Sequence, residues 1–200
     1  MAGMRTRGRR GADLGRNMAS QAADIAALLR HECSLLVELY RNKENFPSDV
    51  AGVPLVSIPS PSSHLDPGDK LWHLHSALEQ CCSLMERAIT REKEEFDGGE
   101  MGEYQTRRKM VKDRLSRLVI VTRDLLKATD GPSIVTPSLD ASQLDGPTAL
   151  FELKLWVYGI FMEVEHWSNT AIQIFQDLQP DATKVPSKRT RSSRITPRMR

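Results

Sequence analysis

The sequence predicts an all-α fold, an up-up-down-down four-helix bundle with two long crossover loops, and two observations carry that prediction. Four stretches of apolar residues recur at steps of three and four, the spacing that keeps one stripe facing inward on a helix. The connections between them run long, short, long. A helix of about 25 residues is ~38 Å long at about 1.5 Å per residue. A loop must cover that length to start the next helix parallel to the last. About 16 to 23 extended residues reach roughly 53 to 76 Å at ~3.3 Å each, whereas a connection of a few residues forces an antiparallel pair.

Ser20 to Lys43 reads as the first helix. Ile25, Leu28, Leu29, Leu35, Leu36, Leu39 and Tyr40 form one broad apolar face, while Arg30, His31, Ser34, Glu38 and Arg41 gather opposite. Glu32 falls within the apolar arc and reads as a carboxylate reaching the edge of the bundle. From Glu44 to Asp66, Pro47, Pro54, Pro59 and Pro61, with Gly52 and several serines, rule out a long helix. Asp66 then caps a second helix begun by Pro67, with Asp69 in the first turn, where a negative charge suits the helix dipole.

The second helix runs to about Phe96 and buries Leu71, Leu74, Leu78, Cys81, Met85 and Ala88. His73 and His75 lie two apart and diverge on a helix, which argues against a metal site. Gly98 and Gly99 end this helix. Tyr104, Val111, Leu115, Leu118, Leu125 and Leu126 mark a third, from about Met101 to Thr129, stopped by Gly131-Pro132. A second Pro/Ser-rich connection, Gly131 to Gly146, leads to the last helix. Each buried Leu, Ile or Val contributes on the order of 1.5 to 3 kcal/mol before entropy is counted, and four such stripes make a sufficient core.

Thr148 to Leu178 is the longest and cleanest helical stretch. Leu153, Val157, Ile160, Val164, Trp167, Ala171, Ile174 and Leu178 hold one stripe, with Pro147 in the first turn and Pro180 where the helix must stop. Phe151 breaks the pattern. At ~100° per residue it points nearly opposite Leu153, with Lys154 flanking it one turn on. Spacing alone leaves two readings: a staple folded onto the incoming loop, or an anchor that fills a partner's pocket.

Composition bounds the rest. Two hundred residues with 40% hydrophobic and 27% charged content suit one domain with a real core. The net charge of +2 hides a division, because residues 1–16 and 184–200 hold 12 of the 28 basic residues and leave 16 basic against 25 acidic between them, near −9. The expected organisation is a disordered basic N-terminus over 1–19, a four-helix domain over 20–179 and a disordered basic tail over 180–200. A nucleic-acid binder would carry its positive charge on a folded docking face with interleaved aromatics, whereas here it sits on Gly-, Ser- and Thr-rich ends. Cys33, Cys81 and Cys82 are odd in number and fall within helices, so free core cysteines and maturation in a reducing compartment are expected. The Arg-rich opening lacks the apolar run of a secretory signal, and no stretch has transmembrane length. No phosphate loop, Cys-x-x-Cys, His-Glu-x-x-His or Gly-x-Ser-x-Gly is present, and Glu92, Glu94 and Glu95 read as solvated. No enzyme activity and no cofactor or metal is expected; such a bundle acts through its surface.

The last helix also resembles that of the ciliary neurotrophic factor-like group of interleukin-6-type, long-chain four-helix cytokines. The residues concerned are Leu150-Phe151-Glu152-x-Lys154-Leu155-Trp156, Glu163-Val164, Trp167 and Asp177-Leu178. Leu39-Tyr40-Arg41, Gly52-Val53-Pro54 and Phe96 extend the likeness collinearly over about 20–178. The resemblance implies a neurotrophic or leukaemia-inhibitory-type growth factor that assembles signalling receptors and activates the JAK-STAT pathway. Phe151 and Lys154 would engage the leukaemia inhibitory factor receptor, and the exposed faces of the first and third helices would meet the signal-transducing chain shared with interleukin-6. Pro61 to Leu65 holds no Trp and Ser168-Asn169-Thr170 no Arg, so use of the ciliary neurotrophic factor alpha receptor stays open. The resemblance further implies an extracellular ligand released without a signal peptide from a cytoplasmic pool. The alternative from another class is an intracellular helical adaptor whose basic tails bind polyanions.

Overall fold

A computed structural model describes residues 5–47, 49–50, 54–96, 102–129, 137, 139 and 144–179. Among them the secondary structure is helical, with no strand. Four long helices, α1 (Arg5–Glu44), α2 (Pro67–Phe96), α3 (Glu103–Ala128) and α4 (Leu150–Asp177), form a four-helix bundle. Both α1 and α2 pack against α3 and α4, so α1 and α2 face each other across the core. Gly52-Val53, Gly98-Gly99, Gly131-Pro132, Pro180 and the basic stretch 180–200 lie outside the described residues.

α1 begins at Arg5, so the boundary expected at Ser20 lies inside the helix. Its buried stripe is Ala19, Ala22, Ala26, Leu29, Cys33, Leu36 and Tyr40, an unbroken alternation of three and four. The expected face was centred too far round. Leu28 is 48% exposed, and Leu35 and Leu39 are only half-buried, because the alanines rather than the leucines define the contact line.

α2 and α3 follow their stripes: Leu71, Leu74, Leu78, Cys81, Met85 and Ala88 on one, Val111, Leu115, Leu118, Leu125 and Leu126 on the other, are all buried. The Asp66 carbonyl accepts the first helical bond from the Lys70 N–H at 2.9 Å, as a residue at the N-cap does. At the start of α3, Gln105 Oε1 accepts the Gly102 N–H at 3.1 Å. Cys33, Cys81 and Cys82 are all free. Burial pushes the Cys33 and Cys81 thiols well above their ordinary range and Cys82 to about 11.

Two carboxylates differ from expectation. Glu92 is buried: it accepts the Tyr104 hydroxyl at 2.8 Å and pairs with Arg108, both on α3. Glu32 reaches inward to α3, where Arg107 lies at 2.7 Å and Arg114 at 3.7 Å. A carboxylate on an apolar arc is tolerated when a neighbouring helix supplies its cation.

α4 starts at Leu150, after Ala149 in an extended conformation, so Pro147 precedes the first turn expected to contain it. Its buried arc is wide, taking in Trp156, Tyr158, Phe161 and Phe175 beside the expected stripe. The first connection covers the side left by α1 and α2. The Leu55 N–H donates to Glu163 at 3.0 Å, Ile58 is buried, and Ser60 Oγ lies 3.2 Å from His166 Nε2.

Polar contacts mark the level at which the helices meet. Between α1 and α4, Arg30 donates to Asn169 at 3.2 Å, Ser34 bonds Glu165, and Glu44 pairs with Lys154 at 2.5 Å. Between α1 and α3, Tyr40 lies against Tyr104 with ring centroids 5.5 Å apart. Between α2 and α3, Glu79 meets Arg123 at 2.8 Å and Glu86 meets Lys112 at 3.1 Å. Lys70 of α2 meets Asp177 of α4 at 3.5 Å, while Arg91 near the other end of α2 donates to the Asp145 carbonyl before α4 at 3.0 Å.

Candidate functional site

The corner that holds Phe151 is built where α1 ends, the first connection leaves and α4 begins. Asn45 has φ +54°, the left-handed conformation that asparagine tolerates better than most side chains. The Phe46 N–H donates to the Arg41 carbonyl at 3.0 Å and the Asn45 N–H to the Asn42 carbonyl at 3.4 Å, the paired bonds of a Schellman ending. That ending turns Phe46 back onto the bundle. Its ring meets Tyr40 at 6.2 Å, Tyr158 at 5.5 Å and Phe151 at 6.3 Å, all edge to face. Tyr40 in turn meets Phe161 at 5.3 Å, so a chain of rings runs from the core to Phe151 at the surface.

The entry to α4 is held from the other side. Arg87 of α2 pairs with Asp145 at 2.9 Å, and Arg91 donates to the carbonyls of Asp145 at 3.0 Å and Pro147 at 3.5 Å. Gly146 has φ +67°, and its Cα lies so close over Trp156 that a Cβ would stand 3.0 Å from the indole. Trp156 is buried beneath this turn.

On this frame Phe151 is 64% exposed and Leu150 51% exposed. Beside them lies a groove of about 530 Å³ lined chiefly by Phe46, Pro47, Val50, Leu55, Leu155 and Trp156. One edge of the Phe151 ring meets Phe46, which lies in the connection after α1 rather than in the loop that leads into α4, and most of the ring faces water. Lys154 is ion-paired. Its Nζ lies 2.5 Å from Glu44 Oε2, and Lys43 Nζ lies 3.1 Å from the other oxygen, Oε1. Burial pushes the Glu44 carboxyl up, yet the hydrogen bonds from Lys154 and Lys43 outweigh it and hold the group below its ordinary value. Lys43 also stands 4.7 Å from the Tyr104 ring centroid.

The sequence reading singled out Phe151 and Lys154 but not Glu44 and Phe46, which the structure places beside them. The available signal was Asn45 between a polar helix end and an aromatic residue, the pattern of a left-handed cap followed by an apolar contact.

Elsewhere among the described residues, Leu28 on α1 and Ile120 on α3 are the other large exposed apolar residues, 48% and 56% exposed. His73 and His75 diverge: His73 Nδ1 lies 3.2 Å from the Pro59 carbonyl, while His75 is buried with Nε2 3.4 Å from Glu79, outside hydrogen-bonding geometry. Among the described residues no group of three or more His, Cys, Asp or Glu side chains is placed to hold a metal ion, and no helix is long and apolar enough to cross a membrane. Compared with known proteins, the chain matches no protein-family model and no curated protein.

Proposed function

We propose that this chain is a helical cytokine with neurotrophic or leukaemia-inhibitory-type activity. In this reading it binds and assembles leukaemia inhibitory factor receptor-type signalling receptors, activates JAK-STAT signalling, and acts outside the cell. The observation that carries the reading is Phe151, an aromatic ring left 64% exposed at the start of α4 on a base of packed aromatics. A large ring on a fixed base, at the rim of an apolar groove, is the kind of residue that anchors an interface. Lys154 belongs to the same site, and exposed Leu28 and Ile120 support a second receptor contact on α1 and α3.

The same proposal gives the bundle an up-up-down-down order. The support is the sense of the pairings. As residue number rises from Arg30 to Glu44 on α1, partners on α4 fall from Asn169 to Lys154. From Glu32 to Tyr40 on α1, partners on α3 fall from Arg114 to Tyr104, and from Glu79 to Glu92 on α2 they fall from Arg123 to Arg108. Two long crossovers are what such an order requires.

Purified chain added to naive cells that carry the receptor tests this reading through STAT phosphorylation. The wild type is expected to give a saturable response, and Phe151→Ala to need ~30-fold more protein, the equivalent of ~2 kcal/mol at a hot spot. A folded wild type that gives no response at any concentration contradicts the proposal.

A further inference from the structure

α1 is longer than the bundle it belongs to. It pairs Arg30 with Asn169, Ser34 with Glu165 and Glu44 with Lys154, one step along α1 for each step back along α4. That register sets Asp177, the last residue of α4, level with Ala22. Arg5 to Gln21 therefore run past the end of α4, roughly 25 Å of helix at about 1.5 Å per residue. In the antiparallel order proposed for these two helices, α1 begins and α4 ends at one pole. Lys70, in the first turn of α2, meets Asp177 there at 3.5 Å. Even fully extended, the chain from Asp177 to Lys184 reaches only ~25 Å from that pole.

Charge converges on the same pole. Five arginines against Asp13 give residues 1–16 a formal charge of +4, and five arginines with Lys184 and Lys188 and no acid give residues 184–200 a charge of +7. The residues between carry −9. A polyanion is repelled by the body of such a molecule and steered to its basic end. The arginines do nothing for α1 itself, because a cation at a helix N-terminus opposes the macrodipole and the first turn of α1 holds no acid.

The residue types narrow the ligand. Ten of the twelve basic side chains are arginine, whose planar guanidinium can grip two oxygens of one oxyanion. Neither segment has an aromatic residue on which a base could stack, which argues against single-stranded nucleic acid. Arg5 to Asn17 has Leu14 as its only large apolar residue, too little to seat a helix in a lipid surface.

We propose that this pole is a second binding site, for a sulfated polysaccharide, at which the overhanging start of α1 and residues 184–200 hold one chain together. Phe151 lies near the other pole, ~40 Å away along α4. A molecule tethered by its basic pole therefore keeps the Phe151 and Lys154 corner clear for a receptor. That consequence rests on the cytokine reading, whereas the site rests on the charge and the helix order.

The test uses the full chain and a heparin hexasaccharide, which is shorter than the bundle. Titrations at physiological salt compare wild type with three forms of unchanged helical circular dichroism: Arg→Gln at positions 5, 7, 9, 10 and 16, the seven basic residues of 184–200 changed to Gln, and both sets together. One hexasaccharide per chain is expected, bound about tenfold more weakly when either set is removed and not at all when both are, with a shallower salt dependence after each removal. Two hexasaccharides per chain, with either set sufficing for wild-type affinity, overturn the joint site, as does binding that survives loss of both sets. Desulfated hexasaccharide is expected not to bind. Equal binding of it, or tighter binding of a DNA duplex or phosphatidylserine vesicles at matched charge, overturns the assignment to a sulfated polysaccharide. Held on a heparin surface, wild type is expected to capture the leukaemia inhibitory factor receptor ectodomain as well as the free protein does. Capture by the free protein alone overturns the two-pole arrangement. If wild type binds no ectodomain in either state, the receptor reading fails, and the hexasaccharide titration by itself decides the basic pole.

Discussion

Gly146 and His75 carry consequences that can be measured one side chain at a time. A methyl at Gly146 would stand 3.0 Å from the Trp156 ring, on a backbone whose φ of +67° disfavours any Cβ. Gly146→Ala is expected to lower stability by about 1 kcal/mol or more, read as a fall in the urea midpoint. His75 is buried, and burial lowers its pKa; Glu79 opposes this, while Arg123 and Lys127 of α3 act with it. The unfolded chain therefore takes up the proton at its ordinary pH, and the folded chain only at a lower one. Stability from this group is complete above about pH 6.5 and falls as the pH drops below it. Urea unfolding at pH 7.5 and 5.5 should show a loss in the wild type and a smaller loss in His75→Leu; equal losses would contradict the assignment. Among single residues, Phe151 could be found from sequence because it falls off its own helix's stripe. Glu44 and Phe46 could not, because their partners lie on α4 and only the fold brings them together.

At the scale of elements, stripes rich in leucine were easy to read and the alanine stripe of α1 was not. Ala19, Ala22 and Ala26 bury little area each, so hydrophobicity pulled the expected face toward Leu28, which the structure leaves largely in solvent. Glu92 was misjudged for a related reason. On α2 alone it belongs to a run of acids, and only α3 supplies Tyr104 and Arg108. Removing one partner of such a buried pair leaves the other charge unmatched. Glu92→Leu is expected to cost about 3 kcal/mol or more in chemical denaturation, and Glu92→Leu combined with Arg108→Met less than the two single changes together. Additive losses would mean that the two residues do not act as a pair. The end of α1 gives a milder case: Asn45→Ala keeps the chain length but loses a residue suited to the left-handed cap, and about 0.5 to 1 kcal/mol of stability should go with it.

For the whole molecule, apolar periodicity and the Pro- and Gly-rich breaks were enough to read four helices, with α2, α3 and α4 close to their observed bounds. What sequence could not supply is the way distant segments converge at one corner. The Schellman ending of α1, the arginines of α2 and the turn at Gly146 all fix the start of α4, and together they leave a large aromatic ring in water. The proposed cytokine action depends on that ring. The most direct test is equilibrium binding of the purified chain to the leukaemia inhibitory factor receptor ectodomain, with Phe151→Ala measured beside it. Saturable wild-type binding is expected, with a loss of ~2 kcal/mol or more in the variant and unchanged helical circular dichroism. Equal binding by the two forms, or none by the folded wild type, would contradict it.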